Sequence, residues 1–381
     1  MKNFRLIEAI ETRSPESVLV TYHFEFMGRV HQVWFRISGA EAAPSTEAFL
    51  AMALLPAMSA SLNIIVESSV SQQLRQNIET IQDVFVCWNP ELFHRISLAG
   101  PLTALFPKPG REVGCFFSGG VDSFYSVLKH PEEISTLLLV HGFDIKLENQ
   151  PLSSAVSRAV RDAAKRLNKK VVEVDTNIRA FSNEFVRWDM YHGAVLAAVG
   201  LLLSRQFARI YIPASHTYGD LMPWGSHPLV DPLWSTEQVT FVHDGCEATR
   251  VEKVVAIAKC DAAMSNLRVC WRNPDAAYNC GECDKCLRTM VNLHLAGALG
   301  RCTTLPAKLD LKQIARTPIT GNSARAFAYE NLRALRASGD HTELIKAIQD
   351  ALNGNHERRI GRTLKKVRRW FRKKVLQQPK S

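Results

Sequence analysis

The chain has 381 residues, of which 46% are hydrophobic and 22% are charged, a composition that excludes disordered and collagen-like proteins. Charged residues interrupt the N-terminus too early for a secretory signal, and the longest apolar stretch, 194–203, is shorter than the roughly 20 residues that span a bilayer. These features predict a cytoplasmic protein. The length predicts two or three domains.

The net charge of +10 comes from the C-terminal end. From His356 onward there are 11 Lys or Arg residues and one Glu, which leaves 36 basic and 36 acidic residues upstream. Between Arg358 and Lys374, apolar residues recur at helical spacing among basic ones. This pattern predicts an amphipathic cationic helix that binds an anionic membrane surface, at the inner face of the membrane, or a nucleic acid. A solvated helix is the alternative.

The first predicted unit, residues 1–108, is a small α+β domain. Two stretches rich in β-branched and aromatic residues, 18–26 and 30–37, flank a short Met-Gly-Arg turn and predict a β-hairpin. A further strand and two helices are predicted at 62–66, 46–58 and 70–84. The prolines and glycines at 100–110 break both helix and sheet, and they mark the domain boundary.

The second predicted unit, residues 109–305, is an α/β domain. Apolar runs alternate in it with helical patterns, which predicts right-handed crossovers and a parallel sheet covered by helices on both faces. The predicted strands lie at 113–117, 136–140, 171–174 and 210–212, and the predicted helices at 123–129, 153–167 and 191–206. A helical extension, 306–355, with helices at 323–337 and 342–352, precedes the basic tail at 356–381.

A glycine turn joins the first strand of this domain to its first helix. Glycine has no Cβ, so it adopts positive φ and lets a phosphate approach the backbone. The N–H groups of the turn and the positive end of the helix dipole favour an anion there. A capped turn without a ligand is the alternative. The predicted anion-binding residues are Ser118, Gly119, Gly120, Val121, Asp122 and Ser123.

This segment resembles the PP-loop ATP pyrophosphatase superfamily, whose signature Ser-Gly-Gly-x-Asp-Ser is matched at every position. It lacks the Gly-Lys-Ser/Thr ending of the Walker-type loop. The resemblance implies an adenine nucleotide alpha hydrolase-like fold that transfers AMP from ATP to a substrate oxygen and releases pyrophosphate. It also implies Mg²⁺, with Asp122 near the phosphate-bound ion.

Four of the nine cysteines have metal-ligand spacing: Cys270, Cys280, Cys283 and Cys286. Disulfides are rare in a reducing cytosol, and Cys-x-x-Cys turns deliver adjacent thiolates to one tetrahedral ion. The pattern predicts a closed, structural Zn²⁺ site, a zinc knuckle attached to a helix that begins near Cys286. An iron–sulfur cluster is the alternative, because four cysteines also bind such clusters.

The phosphate loop and the cysteine pattern together resemble the 7-cyano-7-deazaguanine synthase family of the queuosine pathway. The family converts a carboxylate with ammonia and ATP, through an amide, to a nitrile. The segment 249–253 resembles the family's Thr-Lys-Ala-Glu segment, which implies a phosphate contact for Arg250. The resemblance implies catalytic roles for Asp122, Arg250 and Lys253, and it adds Asp144 to the residues that bind the nucleotide.

The chain departs from the family in its acceptor region. The family's Phe-Asp-Tyr-Gly-Gln is reduced here to Phe143 and Asp144, and its Tyr-Pro-Asp-Cys-Arg segment has no equivalent. In its place a polar, aromatic loop follows the strand at 210–213, where parallel sheets bind ligands. We expect this loop to bind the small-molecule acceptor through His216, Tyr218, Asp220, Trp224 and His227. Further candidates are Asp189, Tyr191 and His192.

The sequence therefore predicts an adenylate-forming ligase or amidotransferase that activates a carboxylate or similar oxygen, and it predicts a homo-oligomer. Two other functions stay open. One is a PP-loop enzyme that modifies tRNA or nucleosides, which the basic tail favours. The other is a non-catalytic module that binds ATP.

Overall fold

The computed structural model describes residues 3–103 and 110–354, and it is an α/β structure. The cationic helix predicted at 358–374 lies outside the described residues. The strands are β1 Phe4–Arg13, β2 Val18–Phe26, β3 Arg29–Ser38, β4 Ile64–Ile65, β5 Val70–Ser71, β6 Leu98–Ala99, β7 Leu102–Thr103, β8 Glu112–Phe116, β9 Thr136–His141, β10 Lys170–Thr176, β11 Phe207–Pro213 and β12 Thr240–Asp244. Ten strands form one sheet in the order β12-β11-β8-β9-β10-β3-β2-β1-β4-β6, and two short strands, β5 and β7, form a second sheet.

Helices cover the sheet, and none of those described combines the length and apolar character needed to cross a membrane. They are α1 Thr46–Ala60, α2 Gln72–Trp88, α3 Val121–Lys129, α4 Gln150–Arg166, α5 Ile178–Ser182, α6 Trp188–Leu202, α7 Arg250–Ile257, α8 Asp261–Asn266, α9 Asp284–Leu295, α10 Leu311–Arg316 and α11 Asn322–Ser338, with a further helical segment at 342–354.

The central strands bury both of their faces. Successive side chains of a strand point to opposite faces, so Cys115 and Leu137 lie in one apolar core while their neighbours Phe116 and Leu138 lie in the other. The first core contains α3, α4, α7 and α9, and the second contains α1, α2 and α6. The prediction of a mostly parallel sheet covered by helices is confirmed.

The N-terminal strands continue the central sheet. The predicted hairpin is confirmed, since β2 and β3 pair antiparallel from Val18–Ile37 to Phe26–Arg29. Strand β3 then pairs antiparallel with β10, which joins residues of the predicted N-terminal unit to the α/β sheet through backbone hydrogen bonds. The five strands β8 to β12, which follow one another in the sheet as β10-β9-β8-β11-β12, are all parallel. The strands β1 and β12 and the short strands β5, β6 and β7 are absent from the sequence prediction.

A buried ion pair fastens the loop that follows β11. His243 on β12 donates from Nδ1 to Asp231 Oδ2 at 2.7 Å, and Ser226 donates to the same oxygen at 2.6 Å. The carboxylate is fully buried. Burial disfavours the charged imidazole, but the hydrogen bond to Asp231 outweighs it and raises the pKa of His243 to about 9. The pair therefore stabilises the fold below pH 6.5, and this contribution is lost as the pH rises through 9.

We expect Asp231→Asn to lower the free energy of unfolding at pH 6 by about 3 to 5 kcal/mol, because a buried imidazole loses its charged partner. The variant should also lose the decline in stability that we expect of the wild type between pH 6.5 and pH 9. Urea denaturation at several pH values measures both effects. Asp340→Asn, at an exposed position, is the control. An unchanged pH dependence in Asp231→Asn would contradict the assignment.

Candidate functional site

The loop after β8 forms an open glycine turn, residues 118–123, which we call the cradle. Gly119 has φ +74°, a left-handed conformation that favours glycine, and its carbonyl accepts a hydrogen bond from the Arg268 amide at 2.8 Å. Gly120 is the N-cap of α3 and, having no side chain, it leaves the first-turn N–H groups uncapped. Ser123 donates from Oγ to the Gly120 carbonyl at 3.0 Å, which fixes the turn. Uncapped N–H groups at a helix N-terminus bind anions.

The cradle opens into a cleft of about 610 Å³ at the carboxyl ends of the parallel strands. Its volume lies within the range of small-molecule sites. Four basic side chains line the cleft, together with three carboxylates, three histidines and residues of the glycine turn. The lining includes Ser118, Gly120, Val121, Asp122, Ser123, His141, Asp144, His192, His216, Trp224, Arg250, Arg268, Asp284, Lys285 and Arg288.

Asp122 links the cradle to α7. Its carboxylate pairs with Arg250 at 3.0 Å and with Lys253 at 3.3 Å, and Lys253 also donates to the Ala214 carbonyl at 2.7 Å. Burial opposes ionisation of Asp122, but the charges of Arg250 and Lys253 outweigh it and hold the pKa of this carboxyl below its usual range. The structure thus brings the three predicted catalytic residues into direct contact.

The start of α7 is itself fixed by a capping box. Thr249 Oγ1 accepts from the Glu252 amide, and the Glu252 carboxylate accepts from the Thr249 amide. These reciprocal bonds satisfy N–H groups at the start of the helix. They hold Arg250, the first residue of α7, at the wall of the cleft.

Arg288 adds a basic side chain that the sequence analysis missed. Its guanidinium stacks over the Phe327 ring at 4.1 Å, and Arg250 approaches the same ring at 5.2 Å. Burial and the neighbouring Arg250 lower the pKa of Arg288 to about 10, so the side chain stays charged at neutral pH. Among the described residues Arg288 makes no ion pair, which leaves it available to a ligand.

Lys285 and Arg268 were missed as well. Lys285 lies three residues before Arg288 on α9, a spacing that places both on one helix face. Burial lowers the pKa of Lys285. Arg268 is buried, and its Nε is without a hydrogen-bond partner among the described residues. The spacing on α9 was the only sequence signal for Lys285 and Arg288, and it did not indicate which face of this helix meets the cleft.

Two of the five expected acceptor residues line the cleft. His216 stacks on Phe327 with ring centroids 5.4 Å apart, and Trp224 meets His216 edge-on at 5.9 Å. Burial, opposed by Asp122, lowers the pKa of His216 to about 4, so its imidazole is neutral at physiological pH.

The other three expected acceptor residues lie outside the cleft lining. Tyr218 is 65% exposed, and Asp220 accepts a hydrogen bond from Thr217 at 3.1 Å. His227 is buried and packs edge-on against Trp88.

Of the three further candidates on α6, one lines the cleft and two do not. His192 lines the cleft, with Nδ1 3.1 Å from the Trp188 carbonyl. Tyr191 is fully buried and donates to the Met52 carbonyl at 2.7 Å, which is a structural role. Asp189 pairs with Arg187.

The four cysteine sulfurs lie within 4.8 Å of one another. The Cys270–Cys283 and Cys280–Cys286 sulfur pairs are each 3.9 Å apart. A tetrahedral zinc ion with Zn–S bonds of about 2.3 Å requires sulfur separations of about 3.8 Å. The cluster therefore fits a single metal ion and is compatible with zinc.

The local backbone supports thiolates at this cluster. The amides of Cys283 and Asn273 donate to the sulfurs of Cys280 and Cys270, each at 3.3 Å. Gly281 has φ +73°, and a Cβ at this position would lie 2.8 Å from Pro306. Cys283 is the N-cap of α9. A metal bound here would fix the start of the helix that carries Lys285 and Arg288 into the cleft.

We expect Cys283→Ser to reduce the metal content of the purified protein and to lower its melting temperature by several degrees, because structural zinc contributes directly to folding. Elemental analysis and thermal melting measure the two effects. Cys302→Ser is the matched control, since Cys302 is buried but lies outside the cluster. Equal metal content in Cys283→Ser and the wild type would contradict the site. An iron signal would identify iron in place of zinc.

Comparison of the chain with protein-family models, with curated proteins and with solved structures gives no significant match.

Proposed function

We propose that the chain is an ATP-dependent, adenylate-forming ligase or amidotransferase of the PP-loop type. It activates a carboxylate, or a similar oxygen, and releases pyrophosphate. One observation carries the proposal. The uncapped glycine turn at the start of α3 opens into a cleft lined by the basic residues Arg250, Arg268, Lys285 and Arg288.

The electrostatics of the cleft support a polyphosphate ligand. Lys253 and Arg250 are partly neutralised by Asp122, whereas Arg288 and Lys285 make no ion pair among the described residues. Partly buried, unpaired basic groups are costly for the folded protein, and a bound anion removes this cost. The cradle and these side chains together match an extended anion such as a triphosphate.

The proposed reaction has two steps. The acceptor oxygen attacks the α-phosphorus of ATP, the bond from this phosphorus to the bridging oxygen breaks, and pyrophosphate leaves. Ammonia then attacks the acyl carbon of the adenylate and AMP leaves, which forms an amide. In the first step negative charge grows on the leaving pyrophosphate, and fixed basic side chains stabilise such charge. Arg250 and Arg288 are suited to this role.

The acceptor would lie beside His216 and Trp224. Their rings form an aromatic wall of the cleft. A planar acid would pack on this wall and present its carboxylate to the phosphate-binding side. The neutral imidazole of His216 is able to accept a hydrogen bond from the nucleophile.

Magnesium and zinc would have different roles. Mg²⁺ is usually held by one or two carboxylates together with substrate phosphates, so the ion would arrive with the nucleotide and meet Asp122. Since Asp122 already pairs with two basic residues, the nucleotide phosphates would have to draw these partners away. Zinc would be held by the four cysteines, where it offers structural support to α9 without contacting the substrate.

The direct test is incubation of the pure protein with ATP, Mg²⁺, ammonium and a panel of carboxylates that includes 7-carboxy-7-deazaguanine. We expect stoichiometric AMP and pyrophosphate with the correct acid. ATP binding without pyrophosphate release for any acid would favour the non-catalytic module. Absence of ATP binding would overturn the proposal.

We expect Arg288→Ala to weaken ATP binding at least tenfold, because a charge-assisted hydrogen bond contributes about 1.5 to 3 kcal/mol. Calorimetric titration measures the affinity. Arg333→Ala is the control, since Arg333 is exposed on the neighbouring helix α11. Equal affinities in the two variants would exclude Arg288 from the phosphate site.

A further inference from the structure

A second polar cavity lies between α4 and the strands β3 and β10. Its volume is about 540 Å³, and it is lined by residues that the proposed reaction does not use. One wall is the polar face of α4, where Ser153, Ser157 and Arg161 follow one another at helical spacing. The opposite wall carries Trp34, Arg36 and Asp175 of the two strands. We call this cavity the strand groove.

The floor of the strand groove is a bonded network. His141 donates from Nε2 to Ser157 at 3.1 Å, and Ser157 donates to Glu173 at 2.8 Å. Arg161 donates to the other Glu173 oxygen at 2.7 Å. These bonds outweigh the effect of burial and hold Glu173 ionised, so the charge of Arg161 is neutralised. The side chains of this network are already bonded to one another, so the contacts to a ligand must come from the walls.

Four side chains on the walls remain available, namely Arg158, Arg36, Asp175 and Trp34. Arg158 is exposed and makes no ion pair among the described residues. Arg36 stands opposite Asp175 in the paired strands, yet no ion pair joins them, and its guanidinium lies 5.4 Å from the Trp34 ring centroid. The groove thus offers basic groups, a carboxylate acceptor and an indole face within one cavity.

We propose that the strand groove binds a nucleotide. Arg158 and Ser153 would hold the phosphate, since guanidinium and hydroxyl groups are its usual partners. Asp175 would accept a hydrogen bond from a ribose hydroxyl or a base amino group, and Trp34 would stack on the base. A simple anion would use only Arg158 and Arg36, leaving Asp175 and Trp34 without a role.

His141 places the groove next to the cleft. It ends β9 and lines both cavities, so the two are adjacent. The bound nucleotide would therefore lie one strand away from the proposed ATP site. The groove does not depend on the proposed reaction, because its residues are different apart from His141.

The test measures AMP binding and the binding of a short single-stranded oligouridine to the full chain. The variants are Arg158→Ala and Trp34→Leu, and Arg166→Ala is the control because Arg166 is on α4 outside the groove. Titrations are repeated in the Arg288→Ala background, which isolates groove binding from the cleft. Circular dichroism verifies that each variant is folded.

We expect both groove variants to weaken binding about tenfold, as losing a charged contact or a stacked base does. If AMP binding falls, the ligand is a free nucleotide. If only oligouridine binding falls, the ligand is a nucleotide within RNA. Unchanged binding of both probes in both variants would overturn the proposal, whatever the activity of the cleft.

Discussion

The ion pairs of Asp122 hold the candidate site together. This carboxylate sits in the first turn of α3, directly after the glycine turn, and it meets Arg250 and Lys253 from α7. The contact joins two helices that are more than 120 residues apart in the sequence, and it brings basic side chains close to an uncapped helix N-terminus. Without Asp122, Lys253 would be almost completely buried, with the Ala214 carbonyl as its hydrogen-bond acceptor and the Tyr125 ring 5.7 Å away.

The basic character of the cleft arises from separate parts of the chain. Arg250 comes from α7, Arg268 from the segment that follows α8, and Lys285 and Arg288 from α9. The chain upstream of the tail has no net charge, so the cleft owes its basic side chains to their placement and not to composition. Phe327 on α11 stacks with Arg288, which lets two guanidinium groups share a cleft without direct contact. Each of these elements meets the others at the carboxyl ends of the parallel strands.

Local sequence signals predicted much of this structure. The runs at 136–140 and 171–174 became β9 and β10, each within about two residues, because buried parallel strands are short and continuously apolar. The cysteine spacing predicted a metal-binding cluster, since its ligands are close in sequence. The pairing of β3 with β10 was not predicted, because a contact across more than 130 residues leaves no periodic signal in either strand. Arg268 and Arg288 were missed because no local sequence pattern shows which distant residues line the cleft with them.

The antiparallel joint between β3 and β10 also affects how the chain can be divided. A fragment cut at residue 109 would lose β3 and leave the backbone of β10 as an unpaired edge. It would also expose Val172 and Val174, which pack in the core that contains α1. Unprotected edges of this kind recruit strands from other molecules. The N-terminal segment therefore covers the edge of the parallel strands that such a cut would expose.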